Sequence, residues 1–109
     1  MLHLSSKVSI YVPSTTAVSV SIDTSDWVAK VAGTLSAYFG GATATEASGF
    51  WVSEASELIK EKVTIVYAYC TSEDLSLKRE AVLALAEEMK QALKQEAVSV
   101  EINNELYLL

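Results

Sequence analysis

The chain has 109 residues, of which half are apolar and a fifth are charged, so it is long enough for one domain with its own core. Its net charge is −6, from 14 acidic and 8 basic residues, and Arg79 is its only arginine. A surface that binds nucleic acid needs clustered lysine and arginine, so we expect no direct contact with nucleic acid. No run of residues approaches the ~20 apolar positions that span a membrane.

The residues that hold metals or attack carbonyl groups are scarce. Cys70 and His3 are each the only residue of their kind. One cysteine forms no intrachain disulfide, and one of each ligand type does not make a zinc site, so we expect no metal and no cofactor. The first residues lack a basic leader followed by an apolar segment and a cleavage site, which favours a cytoplasmic protein.

The first third of the chain predicts a strand followed by a helix. Residues 7–12 alternate and are rich in β-branched side chains, which predicts a strand. Residues 17–22 alternate again and either form a hairpin arm or cross the edge of the sheet. Asp23 can cap a helix whose apolar positions recur at helical spacing as far as Phe39. Gly40 and Gly41 then supply the positive-φ stop that helices favour.

The middle of the chain predicts a β-hairpin. Residues 42–46 and 50–52 indicate one strand, interrupted near Ser48 and Gly49 by a predicted bulge. A polar loop over residues 53–57 leads to a nearly continuous apolar strand over residues 61–70, which is typical of a central strand.

The last third repeats the pattern of helix and strand. Thr71 starts a second amphipathic helix, and residues 97–102 alternate as a final long strand. Asn103 and Asn104 can turn the chain into a short arm over residues 105–109.

Two helices interleaved with four strands in this order predict one α+β domain over residues 1–109. The pattern is that of a ferredoxin-like βαββαβ sandwich, an antiparallel sheet with two helices on one face. The strands carry more apolar side chains than one helical layer covers. We therefore expect a homodimer in which a second copy covers the other face of the sheet.

A few residues are candidates for chemistry. Glu61 begins a central strand, where a carboxylate is costly unless it is paired, and Tyr67 or Tyr69 could act with it as acid and base. Cys70 ends the same strand and is expected to be an inert core residue. Trp51 follows Gly49 by two positions, so we expect it on the sheet face away from the helices, with space beside its indole for a ligand or a neighbouring subunit.

Four short motifs carry a resemblance to a known family. Positions 39–43, 49–51, 60–61 and 95–98 follow, in order, the motifs Phe-Pro-x-Gly-Leu-Thr, Gly-x-Trp, Arg-Glu and Gln-x-Ser-Val. The departures are Gly40 in place of proline, Ala42 in place of leucine, Lys60 in place of arginine and Ala97 in place of serine. This stretch resembles an uncharacterised bacterial domain-of-unknown-function family, numbered three-five-seven-four. The resemblance implies a ferredoxin-like α+β fold and carries no established activity.

Five residues of this region are predicted to bind a ligand or partner. They are Thr43, Gly49, Trp51, Glu61 and Gln95. The polar and amphipathic members of the set either form a buried hydrogen-bond network that pins the hairpin to the last strand, or line a ligand site.

Three functions are compatible with these features. The leading interpretation is a non-enzymatic binding or accessory protein that acts through the sheet face around Trp51. The first alternative is a small acid/base enzyme that uses Glu61 with Tyr67 or Tyr69 in a dimer cleft. The second alternative is an acidic inhibitor, encoded by a phage or plasmid, that covers a basic partner.

Overall fold

The computed structural model describes residues 1–16, 20–21 and 23–109, and only the backbone of residues 15–16 and 20–21. The described parts form seven strands and two helices. In chain order they are β1 (Ser6–Pro13), β2 (Thr15–Thr16), β3 (Val20–Ser21), α1 (Ser25–Phe39), β4 (Thr43–Val52), β5 (Leu58–Cys70), α2 (Ser72–Ala92), β6 (Ser99–Ile102) and β7 (Glu105–Leu108).

Five strands form one antiparallel sheet in the order β4-β5-β1-β6-β7. Strand β1 lies at its centre because it pairs with β5 on one side and with β6 on the other. The order of the four predicted strands, β4-β5-β1-β6, confirms the predicted ferredoxin-like α+β fold. The short arm expected at the end of the chain is β7, which adds a fifth strand to the edge.

The core lies between one face of the sheet and the two helices. Alternate residues of β1 (Val8, Ile10 and Val12) are buried there, because side chains along a strand point to opposite faces. The partners that share this cluster come from both helices and from the neighbouring strands: Val31, Leu35, Val82, Leu85, Met89, Val66, Ala68 and Val100.

A threonine occupies the N-cap position of each helix. Thr71 caps α2 as predicted, and its hydroxyl accepts a hydrogen bond from the backbone N–H of Asp74 at 3.1 Å. The cap of α1 is Thr24 rather than the predicted Asp23, and its hydroxyl donates to the carbonyl of Pro13 at 2.8 Å. Asp23 accepts a hydrogen bond from the backbone N–H of Ser25, which lowers the pKa of its carboxyl group.

The β4–β5 hairpin differs from the prediction in two ways. Strand β4 runs without interruption, so the bulge expected near Ser48 and Gly49 is wrong. Strand β5 begins at Leu58, three residues before the predicted start, because each residue of β4 finds a partner in the other arm. The backbone of β3 pairs with β2 in a separate two-stranded sheet, and the other residues of the 17–22 segment lie outside the described part of the chain.

Two further expectations concern the core and the membrane. Cys70 is buried at the end of β5, as predicted, and burial together with the nearby charge of Asp74 raises the pKa of its thiol. Within the described residues, neither helix is long and apolar enough to cross a membrane.

Two glycines of α1 should respond to alanine in opposite directions. Gly40 ends the helix with φ of +92°, a conformation that is strained for any residue with a β-carbon, whereas Gly33 lies within the helix with open space around it. We expect Gly40→Ala to lower the free energy of unfolding by about 1 kcal/mol or more. The matched change Gly33→Ala should raise it by about 0.5–1 kcal/mol. Urea titrations of the two variants test this, and equal effects would contradict the assigned helix end.

Candidate functional site

The sheet face away from the helices, called the open face, is formed by the odd-numbered residues of β1, β4, β5 and β6 and by the even-numbered residues of β7. Its centre contains Lys7, Ser9 and Tyr11 of β1. Neighbouring strands contribute Thr43, Thr45, Ala47, Gly49 and Trp51 of β4, Ile59, Glu61, Val63, Ile65, Tyr67 and Tyr69 of β5, Ser99 and Glu101 of β6, and Leu106 and Leu108 of β7.

A groove of about 290 Å³ crosses this face beside the hairpin. This open-face groove is lined by Tyr11, Ile65, Trp51, Glu61 and Gln95, among other residues. Four of the five residues predicted to bind a ligand or partner line it, namely Gly49, Trp51, Glu61 and Gln95. The structure therefore brings together most of the site that the sequence predicts.

Trp51 lies on the open face, as expected. It is directly opposite Ile59 in the hairpin, and its side chain is 46% exposed. Gly49 is opposite Glu61, where an added β-carbon would lie 3.8 Å from the Glu61 Cγ. The missing side chain of Gly49 thus leaves room between the indole and the carboxylate.

Glu61 is exposed, which corrects the expectation of a buried and paired carboxylate. The hairpin projects so far that β5 has left the core at this position, and water solvates the side chain. Among the described residues Glu61 forms no hydrogen bond or ion pair, while the side-chain amide of Gln95 donates to the Leu93 carbonyl at 3.1 Å. The buried network of Thr43, Trp51, Glu61 and Gln95 is therefore wrong.

Thr43, Tyr67 and Tyr69 lie toward the other end of the open face. Thr43 is opposite Tyr67 in the hairpin register. Glu61 and Tyr67 are six positions apart in one strand, a separation of about 20 Å. Within one chain, Glu61 therefore does not act on the same bond as either tyrosine, and such a pairing requires a second copy.

The sequence analysis missed a carboxylate at the centre of the open face. Ser9 is completely buried, and its hydroxyl donates to Glu101 Oε1 at 3.0 Å. Glu101 is half-buried on the neighbouring strand. Ser9 occupies an outward position of the alternating strand, where a polar residue is ordinary, and its partner lies 92 residues away along the chain, so no local signal indicated the pair.

A larger cavity, of about 610 Å³, lies on the helix side of the hairpin. Asp23, Glu46 and Lys62 are its charged lining residues, and no aromatic side chain is among the described residues that line it. Nowhere in the described ranges do three His, Cys, Asp or Glu side chains converge to hold a metal ion. Because ligand pockets are usually lined by apolar and aromatic side chains, the open-face groove is the better candidate for a ligand site.

Comparison with known proteins gives a match at the level of structure. No protein-family model matches the chain, and no curated protein is similar to it in sequence. A phage SAM lyase in complex with S-methyl-5'-thioadenosine matches with a TM-score of 0.70 and 20% identity, over 100% of this chain and 92% of the other. A phage SAM lyase in the apo state matches with a TM-score of 0.65 and 17% identity, over 100% and 94% of the two chains.

A third structure shares the fold within a larger protein. A Bacillus cereus protein related to NIF3 matches with a TM-score of 0.56 and 15% identity, over 99% of this chain but 27% of the other. At these identities the three likenesses show a common fold.

The likeness to phage SAM lyase corrects the leading interpretation from the sequence. Two structures that match the whole chain belong to an enzyme, which points away from a non-enzymatic binding or accessory protein. That interpretation is therefore wrong: the fold was predicted correctly, but a fold does not define an activity, and the sequence contains no catalytic motif that indicates an enzyme.

The two carboxylate environments of the open face predict different responses to mutation. Ser9→Ala removes a buried donor to Glu101 and should lower the free energy of unfolding by about 1 kcal/mol. Glu61→Ala removes an exposed side chain without a partner among the described residues and should change it by less than about 0.5 kcal/mol. Thermal and urea melts measure both changes. A larger loss for Glu61→Ala than for Ser9→Ala would show that the hairpin carboxylate is structural.

Proposed function

We propose that this protein is an enzyme that cleaves S-adenosylmethionine (SAM) and releases S-methyl-5'-thioadenosine. The observation that carries this proposal is the whole-chain likeness, with a TM-score of 0.70, to a phage SAM lyase that holds this thioether. The open face adds support, because it combines aromatic side chains with carboxylates that suit a cationic nucleoside.

The chemistry needs no cofactor. The bond between sulfur and the γ-carbon of the amino-acid side chain breaks, and its electron pair returns to sulfur, so that a cationic sulfonium becomes a neutral thioether. The γ-carbon gains a bond in one of two ways. Either the carboxylate of the same substrate displaces the sulfur and closes a lactone, or a base removes a proton from the β-carbon and a double bond forms. Glu61 and Glu101 are the carboxylates of the open face that could take that proton.

The open-face groove offers partners for the two ends of this substrate. Tyr11, the aromatic residue of the groove nearer to Glu101, provides a ring face for the adenine, for which stacking on an aromatic ring contributes about 1–3 kcal/mol per base. Glu101 lies beyond Tyr11 toward the centre of the sheet and can hold a cationic group of the substrate. The net charge of −6 favours the approach of a cation from solution.

The small size of the groove supports a site that a second copy of the chain would complete. At about 290 Å³ it lies at the lower end of the range of roughly 300–1,000 Å³ that is typical of ligand pockets. Trp51, Leu106 and Leu108 are exposed on the same face, and a second subunit would cover them. The homodimer expected from the sequence, the cytoplasmic location and the resemblance to the domain-of-unknown-function family all stay predictions.

The purified protein should convert SAM to S-methyl-5'-thioadenosine, measured by liquid chromatography. We expect Glu101→Gln to raise KM for SAM roughly 10-fold, because it removes a charge from the partner of a cationic group. The matched control is Glu87→Gln on α2, an exposed glutamate that accepts a hydrogen bond from Gln91 and lies far from the sheet. No thioether above the uncatalysed rate would overturn the proposed function.

Light scattering at micromolar concentration should give about twice the mass of the monomer. Trp51→Glu places a charge within the predicted interface and should shift the protein toward the monomer. Leu77→Glu serves as the control, because Leu77 is 74% exposed on α2 and lies outside that interface. A wild-type protein that stays monomeric would show that no second copy covers the open face.

A further inference from the structure

At one end of the open face a lysine side chain lies over two tyrosine rings. The Lys7 Nζ is 4.7 Å from the ring centroid of Tyr67 and 5.7 Å from that of Tyr69. The two rings meet edge to face, with their centroids 6.0 Å apart. Cation–π attraction to both rings holds the ammonium group in place on the sheet.

The backbone around this lysine is also fixed. The N–H of Lys7 donates to the side-chain carbonyl of Asn103 at 2.9 Å, and the N–H of Asn103 donates back to the Lys7 carbonyl at 3.0 Å. Asn103 begins the turn between β6 and β7. The backbone position of Lys7 is therefore set by the sheet.

This ammonium has no carboxylate partner among the described residues, although the chain contains 14 acidic side chains. The ion pairs of the described part are Lys30 with Glu88 and Arg79 with Glu80. The hydroxyl groups of Tyr67 and Tyr69 form no hydrogen bond there either. An ammonium without a carboxylate partner, lying over two tyrosine rings whose hydroxyls have no acceptor in the described part, is suited to bind a small anion.

An opposite charge lies beside these donors. Glu101 on β6 lies opposite Ser9, which is two positions from Lys7, so the backbones of Glu101 and Lys7 are about 7 Å apart along the strand direction. An α-amino acid carries a carboxylate and an ammonium group on one carbon. The open face carries the complementary charges, an ammonium on Lys7 and a carboxylate on Glu101.

We propose that Lys7, Tyr67 and Tyr69 bind the carboxylate of the amino-acid part of the substrate, while Glu101 binds its ammonium group. This inference rests on the proposed function and names the part of SAM that each end of the open face recognises. From Lys7 the strand passes Ser9 and reaches Tyr11 and the open-face groove. A substrate whose adenine occupies the groove therefore extends its amino-acid end toward Lys7.

The experiment compares SAM with decarboxylated SAM, which lacks the carboxylate, and with S-methyl-5'-thioadenosine, which lacks the whole amino-acid part. Lys7→Met removes the ammonium and keeps an unbranched chain over the rings, and Lys7→Arg restores a cation. Lys78→Met is the matched control, because the Lys78 Nζ lies 5.0 Å from the ring centroid of Tyr38 on the helical side. KM and kcat are measured for cleavage, and dissociation constants by calorimetry.

We expect Lys7→Met to raise KM and the dissociation constant for SAM roughly 10- to 100-fold, the range for a hydrogen bond to a charged group. Its affinity for decarboxylated SAM and for the thioether should equal that of the wild type. Lys7→Arg should recover part of the loss, and Lys78→Met should show none. Tyr67→Phe and Tyr69→Phe keep both rings and should each weaken SAM binding alone, which provides a second test if Lys7→Met does not fold.

The possible failures separate the two proposals. If the wild type cleaves SAM and Lys7→Met has an unchanged KM, or weakens all three ligands alike, the carboxylate site is wrong and the proposed function stands. If the wild type binds SAM without cleaving it and Lys7→Met weakens that binding, the carboxylate site stands and the lyase activity is wrong. A wild type that binds none of the three ligands overturns both.

Discussion

A single layer of two helices covers the sheet on one side, and the side chains that it buries alternate along each strand. In β1, Val8, Ile10 and Val12 pack against this layer in the core. Lys7, Ser9 and Tyr11 lie on the other face of the strand. Because the alternation has a period of two, a shift of one residue would exchange the two sets completely. The register that builds the core therefore also decides which polar and aromatic groups can meet a ligand.

Most of the fold follows from signals that lie close together in the chain. The alternation of β1, the threonine cap of α2 and the turn at Asn103 and Asn104 all depend on neighbouring residues, and each is found where it was predicted. The errors in the hairpin occur where pairing between strands overrides the local pattern. Gly49 suggests a bulge by itself, but it lies opposite Glu61 in an uninterrupted ladder, so the partner strand keeps it in register.

The site was less predictable because its contacts join distant parts of the chain. Gly49, Trp51 and Glu61 belong to one hairpin, so their proximity could be inferred from sequence spacing. The contact of Ser9 with Glu101 depends instead on how β1, β5 and β6 are ordered in the sheet. That order is a property of the whole fold, and no local motif encodes it. The lysine over the two tyrosines has the same origin, since Lys7 is opposite Tyr69 only in this sheet.

The proposed reaction removes a positive charge, and this restricts how the open face can accelerate it. The charge on sulfur falls as the sulfonium becomes a thioether, so a carboxylate held against sulfur would stabilise the substrate more than the transition state. Ring faces attract a cation by only about 0.5–2 kcal/mol and also exclude water. They therefore stabilise the cationic substrate less than a carboxylate would and slow the reaction less. The Ser9–Glu101 pair lies two positions along β1 from Tyr11, about 7 Å. This separation lets the carboxylate hold the amino-acid end while the sulfur, a few bonds away, lies toward the ring of Tyr11.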